Sequence, residues 1–293
     1  MEKELRFTVG PLQRWLLLLC AVILGYVVTA VVSALMLGKG ITASRVCVVT
    51  VIQDVMVFVI PALVTAVFIT RRPADFLEIG HARFGALLLA CFCLLSSVPF
   101  MNAVIEWNAN INFPAEIATA MKAMEDAAAK TIDAFVDGQS VMSLIVMLLV
   151  IGCFAGFSEE LLFRGTIQRL LITGRMNPHL AIWLTAIIFS AFHIQFYGFV
   201  PRMLLGAMFG YFAWWFGSVW PAVAAHVLNN SLAVYTMWYA DRTGIDADQA
   251  GVNGLSADNP WLIWGSVGVF LALMWFSRAY GIGERNKEKA AQV

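Results

Sequence analysis

Gly156-Phe157-Ser158-Glu159-Glu160-Leu161-Leu162-Phe163-Arg164-Gly165 places two adjacent carboxylates and a guanidinium at the end of an apolar run that carries no other charge. In hydrocarbon an ionisable side chain costs roughly 2.5–3.5 kcal/mol on insertion scales, so one found there is a functional candidate by default. Residues four apart share a helix face, which lets Glu160 reach Arg164. Glu159 is rotated by about 100° from Glu160 and looks toward another neighbour. One carboxylate can therefore be neutralised by Arg164 while the other stays free for a reacting water.

Outward from this decapeptide the chain is apolar almost throughout. Of 293 residues 60% are hydrophobic and 13% charged, with a mean hydropathy of +0.79. A soluble domain carries roughly 25% charged residues, so an ordinary cytosolic enzyme is excluded. The 19 basic and 19 acidic residues balance without a basic run, which argues against a nucleic-acid partner. Stretches of about 20 apolar residues, enough to cross a bilayer, fall at roughly 15–37, 46–70, 84–105, 141–163, 180–200, 202–218, 219–240 and 260–280. The expectation is an all-α polytopic membrane protein of about eight transmembrane helices. Residues 1–293 form one polytopic domain, with a motif-bearing core at about 141–240. The first run, starting at Trp15, is too long for a signal peptide and reads as a retained helix.

If the amino terminus is cytoplasmic, 13 of the 19 basic residues face the cytoplasm and 6 face out, so the positive-inside rule puts both termini in the cytoplasm. Segment 106–140 then lies outside. Its residues Ile117, Met121, Met124, Ala128, Ile132 and Phe135 follow helical spacing, with Pro114 suited to a first turn. That stripe predicts an amphipathic helix on the outer face, or a gate over a substrate path. The five cysteines, Cys20, Cys47, Cys91, Cys93 and Cys153, have no metal-ligand spacing and read as small hydrophobes.

Further polar groups interrupt other apolar stretches: Phe189-Ser190-Ala191-Phe192-His193, His226-Val227-Leu228-Asn229-Asn230, and Gln53-Asp54. His226 and Asn230 lie one helical turn apart. Taken singly, Glu160–Arg164 reads as a helix-end ion pair and each histidine as a satisfied core residue. Taken together, they predict an intramembrane polar cavity. HExxH is absent, Ser158 lacks a nucleophile elbow, and a thiol such as Cys153 is inert in apolar surroundings. What remains is hydrolysis by activated water, a transporter relaying ions or protons through the same side chains, or a catalytically silent scaffold or immunity protein.

The three strings, in this order and within about 70 residues, resemble the CAAX-protease and bacteriocin-processing family of intramembrane proteases. Its pattern is EExxxR, then FxxxH, then HxxxN or HxxxD; here Glu159, Glu160 and Arg164, then Phe189 and His193, then His226 and Asn230 match it. The resemblance covers about 155–235. It implies about eight helices around a water-filled cavity and peptide-bond hydrolysis within it. It also implies Glu159 activating water with help from His193, His226 and Asn230 holding the oxyanion, and Glu160 and Arg164 supporting the site. Implied partners are a peptide or membrane-protein substrate and the lipid bilayer, with a bacterial cytoplasmic membrane the expected location. No cofactor is expected; the alternative is zinc on Glu159, His193 and His226. One length does not fit. A helix starting at Leu180 carries His193 about 20 Å along its axis, deeper than Glu159 lies from its own helix end. Either the helix bearing Glu159 runs on past Arg164, to about Leu171, or the next one starts later.

Overall fold

The computed structural model describes residues 10–38, 40–80, 82–136, 140–245 and 259–291, and among them the regular structure is helical throughout. In chain order the helices are α1 (Pro11–Leu37), α2 (Ala43–Ile69), α3 (Pro73–Phe76), α4 (Phe84–Ala109), α5 (Ala115–Val136), α6 (Val141–Thr173), α7 (Pro178–Phe192), α8 (Phe199–Phe216), α9 (Trp220–Thr243) and α10 (Pro260–Ala291). Their ends follow local chemistry. Pro11, Pro178 and Pro221 occupy first turns, where the missing N–H costs nothing. Thr42, Ser140 and Asn177 cap α2, α6 and α7 by accepting backbone N–H bonds. Gly217 and Gly244, at φ 65° and 67°, close α8 and α9 in the left-handed conformation that glycine adopts without strain.

Among the described residues five helices are long and apolar enough to cross a bilayer: α1, α2, α4, α6 and the Pro260–Glu284 part of α10. The stretches 180–200, 202–218 and 219–240 also form helices but do not meet that measure. α7 is apolar and only 15 residues long, Arg202 interrupts α8, and α9 carries His226, Asn229 and Asn230. The count of eight read from hydropathy is thus larger than the number of helices that qualify by length and composition. The protein is nonetheless an integral membrane protein, since its apolar surface has no solvent but lipid. On α10 the apolar window is only 6% buried, with Trp261, Trp264 and Trp275 exposed.

Two boundaries differ from the sequence reading, and the first of them resolves the length mismatch, since α7 starts at Pro178 and not later than expected. The helix with Glu159 does not stop near 163 but continues to Thr173, and α7 ends at Phe192 rather than near 200. Arg164 and Gln168 do not break α6, because both donate to backbone carbonyls of α8. Segment 106–140 holds α5, on which Met121 is buried while Ile117 and Met124 are exposed. The positions of Ile132 and Phe135 side chains lie outside the described set.

Besides two small clusters that join α2, α6 and α9, and α7 and α8, the core has two larger parts. One joins α1, α2, α6 and α7 through Leu18, Val57, Phe58, Leu161, Phe163 and Phe189. The other joins α4, α8, α9 and α10 through Cys93, Leu94, Phe209, Phe212, Phe216 and Ala225. The polar face of α6 lies along the seam between them. At one end of the bundle Arg169 pairs with Glu78 at 2.7 Å, Val219 N–H bonds the Glu78 carbonyl, and Arg83 pairs with Glu284 at 3.2 Å.

Candidate active site

α6 winds more loosely on both sides of its carboxylates, with π-helical turns at Leu148–Ala155 and Phe163–Gln168. α2 has another at Asp54–Val59. Such insertions shift the register of a helix face and occur preferentially at functional sites. Here Asp54 starts the first and Arg164 lies within the last.

Close approach of small residues brings the motif helices together. Gly152 and Gly156 form a GxxxG step against α9: a Cβ at Gly152 would lie 2.7 Å from Ser231 Oγ, and one at Gly156 would lie 3.2 Å from the Val227 nitrogen. A second step, Gly206 and Gly210, faces α6 and α7. A Cβ there would meet Phe189 at 3.0 Å and Gln168 Oε1 at 2.6 Å. Small residues at this spacing let helix backbones pack closely within a membrane.

Glu160 is fully buried and bridges two cations or potential cations. Its Oε1 accepts from Arg164 at 2.6 Å and from His226 Nδ1 at 2.8 Å. A carboxylate only accepts, so Nδ1 carries the hydrogen and Nε2 is left for the site. The guanidinium of Arg164, also buried, donates to the Gly206 carbonyl at 2.7 Å and lies 4.7 Å from the Phe189 ring centre. Four residues on, Gln168 repeats the motion and donates to the Gly210 carbonyl at 3.0 Å.

Glu159 is less enclosed, its side chain 13% exposed, and its Oε2 has no hydrogen-bond partner. It stands 3.8 Å from His226 Nε2. That separation is too long for a direct hydrogen bond and short enough for one water to touch both atoms. His226 stacks on Phe209 with ring centres 5.0 Å apart, and Phe189 stands edge-on to both His226 and His193, at 5.7 and 5.2 Å.

His193 follows the last residue of α7 and donates Nδ1–H to the Phe189 carbonyl at 3.0 Å; a carbonyl cannot donate, which fixes the tautomer. It is within electrostatic reach of Glu159 and His226. Asn230 lies one turn beyond His226, where its Nδ2 donates to the Ile151 carbonyl at 3.1 Å and its Oδ1 accepts from Asn229 at 3.3 Å. Asp54, 3% exposed and with Oδ2 unbonded, is also within reach of the Glu159 charge. Glu159, Glu160, Arg164 and His226 are thus in direct proximity, with His193 across Phe189 and Asn230 held to the backbone of α6.

Sequence reading did not single out Gln168 or the two glycine pairs; the GxxxG spacing was the signal available. The zinc alternative would require Glu159, His193 and His226 to converge on one ion. Among the described residues no three His, Cys, Asp or Glu side chains assemble into a metal-binding group.

Next to Asn229 lies a cavity of about 410 Å³ between α4, α8 and α9. Its walls are mostly apolar, Leu94, Val98, Met101, Leu205 and Leu232 among them, with Arg202 at its edge.

No curated protein and no solved structure matches the chain. A family profile described as type II CAAX prenyl endopeptidase Rce1-like matches residues 141–232, the stretch that holds all three motifs. Over those residues the chain is similar to that family, in agreement with the resemblance carried by Glu159, Glu160 and Arg164, by Phe189 and His193, and by His226 and Asn230.

Proposed function

We propose that the protein is an intramembrane endopeptidase that hydrolyses peptide bonds with water activated by Glu159. The observation that carries this reading is the unequal treatment of two neighbouring carboxylates. Glu160 is tied through Oε1 to both Arg164 and His226, with its Oε2 unbonded, whereas Glu159 has no Arg164 contact of this kind and keeps an unbonded Oε2 3.8 Å from His226 Nε2.

In this reading Glu159 removes a proton from water as the water oxygen bonds to the scissile carbonyl carbon. His193 assists, its Nε2 left as an acceptor by the bond from Nδ1–H to the Phe189 carbonyl. The tetrahedral oxyanion is met by His226 Nε2–H, with the imidazolium held by Glu160, and by the free hydrogen of the Asn230 carboxamide. Fixed donors in an enclosed site stabilise such charge more than water does. The carbon–nitrogen bond then breaks, and Glu159 passes its proton to the leaving amine. None of these steps uses a metal.

The substrate in this proposal is a peptide or membrane-protein segment that enters from the bilayer, with the apolar cavity beside Asn229 as its path. The profile's description names prenylated CAAX peptides, so the test compares lipidated with unlipidated sequences. Purified protein in lipid nanodiscs is incubated with a fluorogenic library containing both kinds. Cleavage is the expected result. Absence of cleavage across the library, with folded protein, would favour a transporter or scaffold instead.

A further inference from the structure

The loop between α7 and α8 begins at His193, and it is held by hydrogen bonds both from its neighbours in sequence and from α4 and α5. Ser190 Oγ donates to the Phe199 carbonyl at 2.7 Å. Arg202 donates to the Gln195 carbonyl, and the Gln195 carboxamide donates to Glu125 of α5 at 3.1 Å. The central clamp is Asn108 near the end of α4. Its Nδ2 donates to the Phe196 carbonyl at 3.1 Å and its Oδ1 accepts the Val200 N–H at 2.8 Å.

Three features set Asn108 apart from an ordinary buried amide. It is 1% exposed, and the hydrogen bonds of its side chain go to this loop and to the first turn of α8. The N–H groups of a first helical turn lack intrahelical acceptors, so Asn108 caps α8 from another helix. Between the clamp and His193 stands Ile194 at φ 54°, a conformation that a β-branched residue keeps only where its surroundings enforce it.

We infer that Asn108 is a positioning residue for His193. By fixing the Phe196–Val200 end of the loop, it holds Ile194 left-handed and so sets where the His193 imidazole stands at the end of α7. The catalytic consequence rests on the hydrolytic reading above; the structural consequence does not.

The test uses the full chain with labelled histidine in nanodiscs, where the protein's four histidines give few enough ring signals to resolve. His193 is assigned by its loss in His193→Ala. In Asn108→Leu, which has neither donor nor acceptor, the His193 ring signal should shift or broaden while that of His226 stays. Asn108→Asp keeps the acceptor for Val200 but cannot donate when ionised, so it should fold and still disturb His193. If peptides are cleaved, kcat should fall by about 10–100-fold with KM nearly unchanged, as small misplacements of a catalytic group do. Combined with His193→Ala, Asn108→Leu should add less than about twofold, because both act through one group.

An undisturbed His193 signal in the variants, additive losses, or failure of Asn108→Asp to fold would each overturn the inference. A disturbed His193 signal in a protein that cleaves nothing even as wild type would leave the inference standing and remove the hydrolytic reading.

Discussion

Glu160 bridges Arg164 and His226, and its replacement tests whether that arrangement is structural. Glu160→Gln leaves Arg164 buried without its carboxylate, and breaking one member of a buried pair costs about 3–5 kcal/mol. Thermal unfolding should fall by many degrees in Glu160→Gln and by little in Glu159→Gln, whose carboxylate has no hydrogen bond on Oε2. Equal melting points would remove the distinction drawn between the two neighbours. A second residue-scale expectation concerns metal: exhaustive chelation should leave most peptidase activity, and loss restored by zinc would reverse the metal-free proposal. The contact between Glu160 and Arg164 was legible because i, i+4 spacing is set by helix geometry. Gln168 and Asn108 were not legible. An amide that bonds a backbone carbonyl on another helix obeys no spacing rule in its own sequence, and its partners lie 42 and 88 residues away.

At the scale of elements, the site depends on how closely α6 meets α9. Gly156→Leu should force the helices apart, since even a Cβ there meets the backbone of Val227 at 3.2 Å. Overpacking of this kind costs about 1–3 kcal/mol. A displaced α9 carries His226 away from Glu160, so peptidase activity should fall by at least about 10²-fold while a folded fraction persists, measured as activity per folded molecule. Unchanged activity would show that the approach of α6 to α9 does not set the site. Hydropathy located the long apolar helices but could not end α6 correctly. Arg164 and Gln168 look like a stop when read alone, and only their bonds to the Gly206 and Gly210 carbonyls make a continued helix favourable in an apolar setting. The end of α7 at Phe192 was likewise hidden, because the apolar run continues through residues that the loop uses for its own packing, such as Phe196 stacked near Phe199.

For the whole molecule, two apolar halves enclose a polar seam, which is what a chain with 13% charged residues must do to keep a reaction site away from lipid. The composition already pointed to a bilayer, whereas the pairing of α6 with both halves could be seen only in three dimensions. We propose that the end bearing Glu78, Arg83 and Arg169 faces the cytoplasm, as the distribution of basic residues implies. In a cysteine-free background, an impermeant thiol reagent should then label Lys122→Cys in intact cells and Asp75→Cys only after permeabilisation; the reverse pattern would invert the topology. The central claim, that Glu159 turns this seam into a hydrolytic centre, is tested most directly by peptide cleavage in water enriched in oxygen-18. The account predicts that the wild-type protein places one heavy oxygen in the new carboxylate, and that Glu159→Gln, folded as well as wild type, slows this by about 10²–10⁴-fold. Cleavage by Glu159→Gln at the wild-type rate would contradict it.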